Sequence, residues 1–300
     1  MLQDGAIWRV LHGVYVGSEH PDVPEVRLAA AQRVLPKDAA LSGRAALWIP
    51  GMDVLAQDQV LDICLPRGIN VRLKPGLRHH SGLVPDAELH EVGGLLVVTA
   101  ARVVVDVART ESLVEAVALG DAALRHGATS MDLLAAAVDR ATHLRGIVAG
   151  RAVLVHLEPR SESLMESRIR MTCVLGGLPR PEAQVDFYQE DGVHIGRGDL
   201  YLDGVVLEYD GRAEHQQREV FGNDRRRHND FSNAGLDVRR FSSQDYYSRP
   251  RLLIVATVRR ALSVVRRDGI TARRGPDTLR AAASSPPVTL ADRSVADEAA

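Results

Sequence analysis

Residues 205–215, VVLEYDGRAEH, set two like charges at the end of an apolar run. Val205, Val206 and Leu207 predict a buried strand, and Glu208 and Asp210, two apart, point to one face of it. Crowded carboxylates repel unless something neutralises them. The preceding strand, HIGRGDLYLD (194–203), delivers a third acid, Asp199. If the two strands pair as a tight hairpin, Asp199 and Glu208 are neighbours, and one face holds Asp199, Glu208 and Asp210. The donors are hard carboxylate oxygens with no thiolate and no paired histidine, which points to Mg2+ or Mn2+. Such an ion polarises a phosphoryl oxygen and activates water for in-line displacement.

The order of elements around this hairpin predicts a helix, three strands, a helix, a strand and a helix. The first helix is SLMESRIRMTCVLGG (163–177), which carries a fourth acid, Glu166. Ser163 followed by Glu166 is also the spacing of a capping box, and the two roles are compatible. Asp191-Gly192 predicts the turn between AQVDFYQ and the Asp199 strand. A polar helix follows over 213–234, then LDVRRF as a strand, then SQDYYSRPRLLIVATVRRALSVV as mostly helix.

The first half differs in texture. Residues 6–16 predict a strand, a turn near Gly13 and a second strand; Pro24 opens a helix that Pro36 stops; Ser42 caps a short helix ended by Pro50-Gly51. Short strands, QVLDICL, INVRL and GLLVVT among them, occupy 58–99, and Ala-rich helices run from 100 to about 157. His79-His80 follows a Pro-Gly turn and reads as loop, and Trp8 and Trp48 read as core. The shift at LEPRSES (157–163) predicts a domain boundary: 1–157, then 158–268, then a tail over 275–300 whose Ala, Ser, Pro and Asp predict disorder.

Composition excludes several classes. Of the 300 residues 45% are hydrophobic and 25% charged, which suits a globular core, and the net charge of -2 confines any surface for a polyanion to a local patch. Arg225, Arg226 and Arg227, with Arg239 and Arg240, make such a patch, either a solvated face or phosphate contacts. Two distant cysteines, Cys64 and Cys173, make no disulfide framework or metal spacing and fit a cytoplasmic chain. The most apolar stretch, 93–108, is broken by Arg102 and Asp106, so no membrane span or membrane partner is expected.

The acids in this order resemble the PD-(D/E)XK nuclease superfamily, and within it the small domains akin to very-short-patch-repair (Vsr-like) endonucleases. The resemblance covers about 160–265. It rests on SESLMES, GRGDLYLDGVVLEYDG with His215, DRRRHND and GLDVRRFSSQD. It implies an α/β fold: a restriction-endonuclease-like three-layer core, a mixed sheet flanked by helices, behind an α+β N-terminal domain. Asp199 and Glu208 match the metal-binding acids and Glu166 the acid of the first helix. Asp210 stands where the superfamily has lysine, so the missing cation or base falls to His215 or an arginine.

RVLHGVYVG, ALSGRAALWIPGMD and VTAARVVVDVAR resemble AbiEi-type antitoxin and regulator proteins. Those begin with a winged helix-turn-helix. Here residue 1 falls at the wing, so the start is late or the recognition helix has been lost. The implied function is a magnesium-dependent endonuclease acting on DNA in repair or in defence against phage and plasmids. The alternative is a non-catalytic DNA-binding or toxin-antitoxin regulatory protein that keeps the nuclease fold.

Overall fold

The computed structural model describes residues 6–11, 13–36, 38–48, 51–52, 54, 60–66, 76–81, 84–211, 229–268 and 273–275. The chain divides into two compact units, Met1–Val155 and His156–Ser285, so the division falls in the last turn of a helix just before LEPRSES. Their strands belong to different sheets, and both units mix helices with sheet, an α/β class. The tail beyond 275 and the strand expected at INVRL lie outside the described residues.

In the first unit β1 (Ile7–Leu11) and β2 (Val14–Gly17) form an antiparallel hairpin, turned at Gly13 with φ 81°. Helix α1 (Pro24–Gln32) begins at its proline and stops before Pro36, because Arg33, Val34 and Leu35 donate back to Ala30 and Ala31 in a tightened last turn. β3 (Ala40–Leu41), α2 (Gly43–Trp48), β4 (Leu61–Leu65), β5 (Leu77–Ser81), β6 (Leu89–Val92) and β7 (Leu95–Val98) follow, with sheet order β5-β4-β3-β7-β6.

Three expectations change here. His79-His80 is not loop: parallel pairing of β5 with β4 sets His79 beside Ile63 and His80 beside Cys64, a non-local pairing that the turn at Gly76 does not announce. Ser42 does not cap α2 through its side chain, because its Oγ is buried without a partner while its N–H goes to Asp62 O at 2.9 Å. Trp8 and Trp48 are half-buried, since each has a polar neighbour at the surface: Trp8 Nε1 donates to His20 O, and the Arg27 guanidinium stacks 4.9 Å over Trp48.

Four helices complete the unit: α3 (Ala100–Thr110), α4 (Leu113–Arg125), α5 (Met131–Arg140) and α6 (Ile147–His156). Ser112 and Ser130 cap α4 and α5 by accepting from Glu115 N and Leu133 N. Glu88, wholly buried, is held between Arg102 and Arg140.

The second unit begins with a segment fastened by arginines: Arg170 Nη1 donates to His156 O and Arg180 Nη2 to Leu157 O. Then come α7 (Leu164–Leu175), β8 (Glu182–Tyr188), β9 (His194–Leu202), β10 (Val205–Tyr209), helical residues 229–233 (α8), β11 (Asp237–Phe241), α9 (Ser243–Tyr247), α10 (Leu252–Asp268) and β12 (Arg273–Arg274). The sheet order is β11-β10-β9-β8-β12. β8, β9 and β10 run antiparallel in sequence and β10 pairs parallel to β11. The β9–β10 loop is two residues, Asp203 at φ 44° and Gly204 at φ 91°, the left-handed pair that matches strand twist.

Both faces of this sheet are covered, which explains the continuous burial of VVLE in β10. Val205 and Leu207 face Met165, Ile169 and Cys173 of α7 and Ile254, Val258 and Leu262 of α10. Val206 faces the other way, with Val185, Phe187 and Phe231. Phe231 is 1% exposed, and burying such a ring contributes roughly 1.5–3 kcal/mol, which fastens α8 to that face.

Candidate functional site

The site grows from a break in strand alternation. Ala183 belongs to the α7–α10 face, yet Val185 belongs to the opposite one. Between them Gln184 sits at φ 55°, a left-handed conformation that costs a non-glycine residue about 1 kcal/mol. β9 breaks at the matching place. A Cβ on Gly198 would lie 2.7 Å from Val206 Cγ1, on the Phe187 face, whereas Leu200 faces α7 and α10. Glycine at 198 is therefore a packing requirement, and Asp199 stands at the break.

Around it the acids gather. The β9–β10 register runs as far as Leu207 with Leu200 and ends just short of Glu208 and Asp199. Asp199 Oδ2 accepts from Tyr209 N at 2.9 Å, which ties its carboxylate to β10. Glu166 comes from the first turn of α7. Its N–H donates to Ser163 Oγ at 3.1 Å, and its own Oε2 accepts from Glu162 N at 2.8 Å and from Gln184 Nε2 at 2.9 Å. Half of the expected capping box is present; the carboxylate reaches back one residue further, to Glu162. Burial pushes the Glu166 carboxyl above its ordinary range. The charge of Asp199 adds to that, against the opposing hydrogen bonds from Glu162, Ser163 and Gln184.

Glu208 is buried, and Arg240, its register partner on β11, donates from Nε to Oε2 at 3.0 Å. Arg239 pairs with Asp237 at 2.7 Å. Both arginines expected to meet phosphate thus engage acids of their own unit. Asp210 lies just past the end of β10, exposed, with its N–H donating to Phe241 O. His215, Arg225, Arg226 and Arg227 lie outside the described residues.

Beside the acids is a group that the sequence did not single out. Asp186 accepts from Arg197 Nε and Nη2 at 3.1 and 3.0 Å, and His194 Nε2 lies 3.0 Å from its Oδ1. The Arg197 hydrogen bonds hold the Asp186 carboxyl below its usual range. Arg197 therefore serves Asp186 on β8. Gln184 also went unnoticed, and no local signal marks it: a glutamine in a strand is common, and its left-handed backbone is set by the sheet.

Among the described residues no group of three or more His, Cys, Asp and Glu side chains could hold a metal ion, so Asp199, Glu208 and Asp210 do not form a ready three-acid cradle. Asp199 and Glu208, on adjacent strands, are all-oxygen donors of the kind a hard cation takes, and Glu208 is engaged by Arg240. Among the described residues no helix is long and apolar enough to cross a membrane.

No family model matches the chain. Two proteins of Mycobacterium tuberculosis are similar to it: Uncharacterized protein MT2308 of strain CDC 1551 / Oshkosh and Uncharacterized protein Rv2248 of strain ATCC 25618 / H37Rv. Each is 34% identical over 191 residues, covering 64% of this chain and 68% of the relative. The chain belongs to their family. The names of these family members carry no activity, so a function for the family has to be argued from the geometry of the site.

Proposed function

We propose that the second unit is a metal-dependent phosphodiester hydrolase acting on DNA. The observation that carries this reading is Asp199 on β9, tied to Tyr209 N next to Glu208, with Glu166 of α7 inside its electrostatic reach. Three acids from α7, β9 and β10 around a sheet with one parallel and three antiparallel pairings support the resemblance to restriction-endonuclease-like domains. A divalent ion, Mg2+ or Mn2+, held by Asp199 and Glu208 would supply Lewis-acid polarisation of the scissile phosphoryl group. The chain's own residues supply the rest. Gln184 orients Glu166, whose raised pKa suits it to hold a proton near the attacking water. Asp210 carries no positive charge where the superfamily has lysine. Arg240, which holds Glu208, would supply the positive charge near the phosphate that lysine supplies in the superfamily. In the first unit the β1–β2 hairpin followed by α1 is read as the wing region of an antitoxin-like regulator.

The Arg240–Glu208 ion pair favours a second reading, in which the protein keeps the fold, has lost catalysis and serves as a DNA-binding or toxin-antitoxin regulator. Incubation of the full chain with plasmid, single-stranded DNA and RNA in magnesium, manganese or EDTA separates the two. The hydrolase cuts DNA in either metal, is silent in EDTA and is silent as Asp199→Asn. No cleavage under any condition leaves the second reading.

A further inference from the structure

The link between β11 and α10 reads SSQDYYSRPRLL, and it leaves an aromatic ring on the surface amid arginines. Tyr247 is 61% exposed, whereas its neighbour Tyr246 is buried and meets it edge to face at 5.0 Å. Arg168 of α7 stacks 5.9 Å over the Tyr247 ring, and Arg251 stacks 4.5 Å over Tyr246. Arg249 lies exposed beside them. Asp245 is the acid that faces this patch; it accepts from Ser242 N and Oγ at 2.9 and 2.8 Å and lies 3.5 Å from Arg249. Leu252 and Leu253, both exposed, extend the apolar surface.

The patch follows directly on β11 along the chain. Arg240, which holds Glu208, is followed by Phe241, whose carbonyl accepts from Asp210 N, and Ser242 then caps the helix bearing Tyr247. Arg168 shares α7 with Glu166, though two residues along a helix the two side chains leave different faces. A surface ring backed by a guanidinium, with further guanidinium groups around it, has the chemistry of a stacking platform: the ring takes an unstacked base and the arginines take the phosphates on either side of it. Bases within a duplex are covered by their neighbours and cannot reach such a ring. We propose that Tyr247, with Arg168, Arg249 and Arg251, is a binding site for a single-stranded nucleic acid segment on the unit that carries the carboxylates. The inference rests on reading the unit as one that acts on nucleic acid, and it adds the state of the strand that is bound.

The test is fluorescence anisotropy of a short labelled oligonucleotide with the full chain in EDTA, with single-stranded DNA, single-stranded RNA, duplex DNA and phosphatidylserine vesicles as separate arms. Single strands bind more tightly than duplex. Tyr247→Ala loosens single-strand binding about tenfold, the loss of one base stack, while Tyr247→Trp keeps it. Arg168→Ala flattens the salt dependence. The exposure of Tyr247 spares the fold, and a thermal melt of each variant checks this. Tyr247→Ala binding like wild type overturns the proposal, as does Tyr247→Trp binding no better than the alanine variant. Duplex or vesicles binding as tightly as single strands, with the same dependence on Tyr247, also overturns it. Cleavage by wild type in magnesium, read beside Tyr247-dependent binding, separates the two ideas. Tyr247-dependent binding with no cleavage by wild type removes the hydrolase and leaves the platform; cleavage with binding indifferent to Tyr247 does the reverse.

Discussion

Arg240 Nε donates to Glu208 Oε2 at 3.0 Å across the parallel β10–β11 pair, joining a half-exposed guanidinium to a carboxylate with only 9% of its side chain exposed. Removing the arginine leaves a buried charge without that partner. Arg240→Ala is therefore expected to lower stability by about 1–3 kcal/mol in EDTA, the range for an unsatisfied charged group that keeps some access to water. Magnesium or manganese restores the melting temperature if a cation takes the arginine's place, by mass action on the native state. Thermal melts with and without metal check both halves. A variant as stable as wild type in EDTA would show that the pair contributes nothing.

Asp199→Asn keeps an oxygen to accept from Tyr209 N and removes the charge that bears on Glu166. The metal-free variant should be as stable as wild type or slightly more so. The metal-induced rise in melting temperature and any cleavage should both vanish. A loss of several kcal/mol, roughly 3–5, in urea titrations of the metal-free variant would instead make Asp199 a structural partner in a buried ion pair.

Glu166 gives a pH dependence with a definite sign. Its folded-state pKa is raised, so the native state binds the proton more tightly than the unfolded chain does. Its contribution is fully present below the unfolded pKa and is lost as pH rises through the raised one. Glu166→Gln keeps an acceptor for Glu162 N and Gln184 while removing the charge. It should match wild type in acid and gain relative to it toward neutral pH. Urea titrations across pH check this, and a gap that widens toward acid would be the wrong sign.

Burial pushes the Cys173 thiol up to about 12, and its side chain is 0% exposed against α10. It is expected to resist alkylation at pH 8 in the native protein and to react when the unit opens. Mass spectrometry after a thiol reagent pulse, with and without urea, reports this.

Glu88 in the first unit is wholly buried between Arg102 and Arg140. Glu88→Gln leaves two guanidinium groups short of a counter-charge, one of them buried. The cost should be roughly 3–5 kcal/mol by urea titration, and a loss below about 1 kcal/mol would mean that Asp106 suffices for Arg102.

Local chemistry was legible from residue order. Ser163 caps its helix because a hydroxyl three residues ahead reaches an orphan N–H, whereas Ser42, in the same kind of place, does not. Gly192 at φ 87° turns its hairpin, and the two-residue loop at Asp203-Gly204 leaves a single register between β9 and β10. The partners of the acids were not legible. Arg240 reaches Glu208 across 32 residues, Gln184 reaches Glu166 across 18, and Arg197 goes to Asp186 while Asp199 is tied to the backbone of β10. Those choices depend on the parallel register of β10 and β11, on a left-handed residue within β8 and on Val206 closing over Gly198. Sequence alone determined the helices and hairpin around the acids and which acids they carry, since these follow from neighbours along the chain, whereas β5 is set by its pairing with β4. Only the tertiary structure decided which charge neutralises which, because that depends on the few ångströms between strands that sequence separation does not encode.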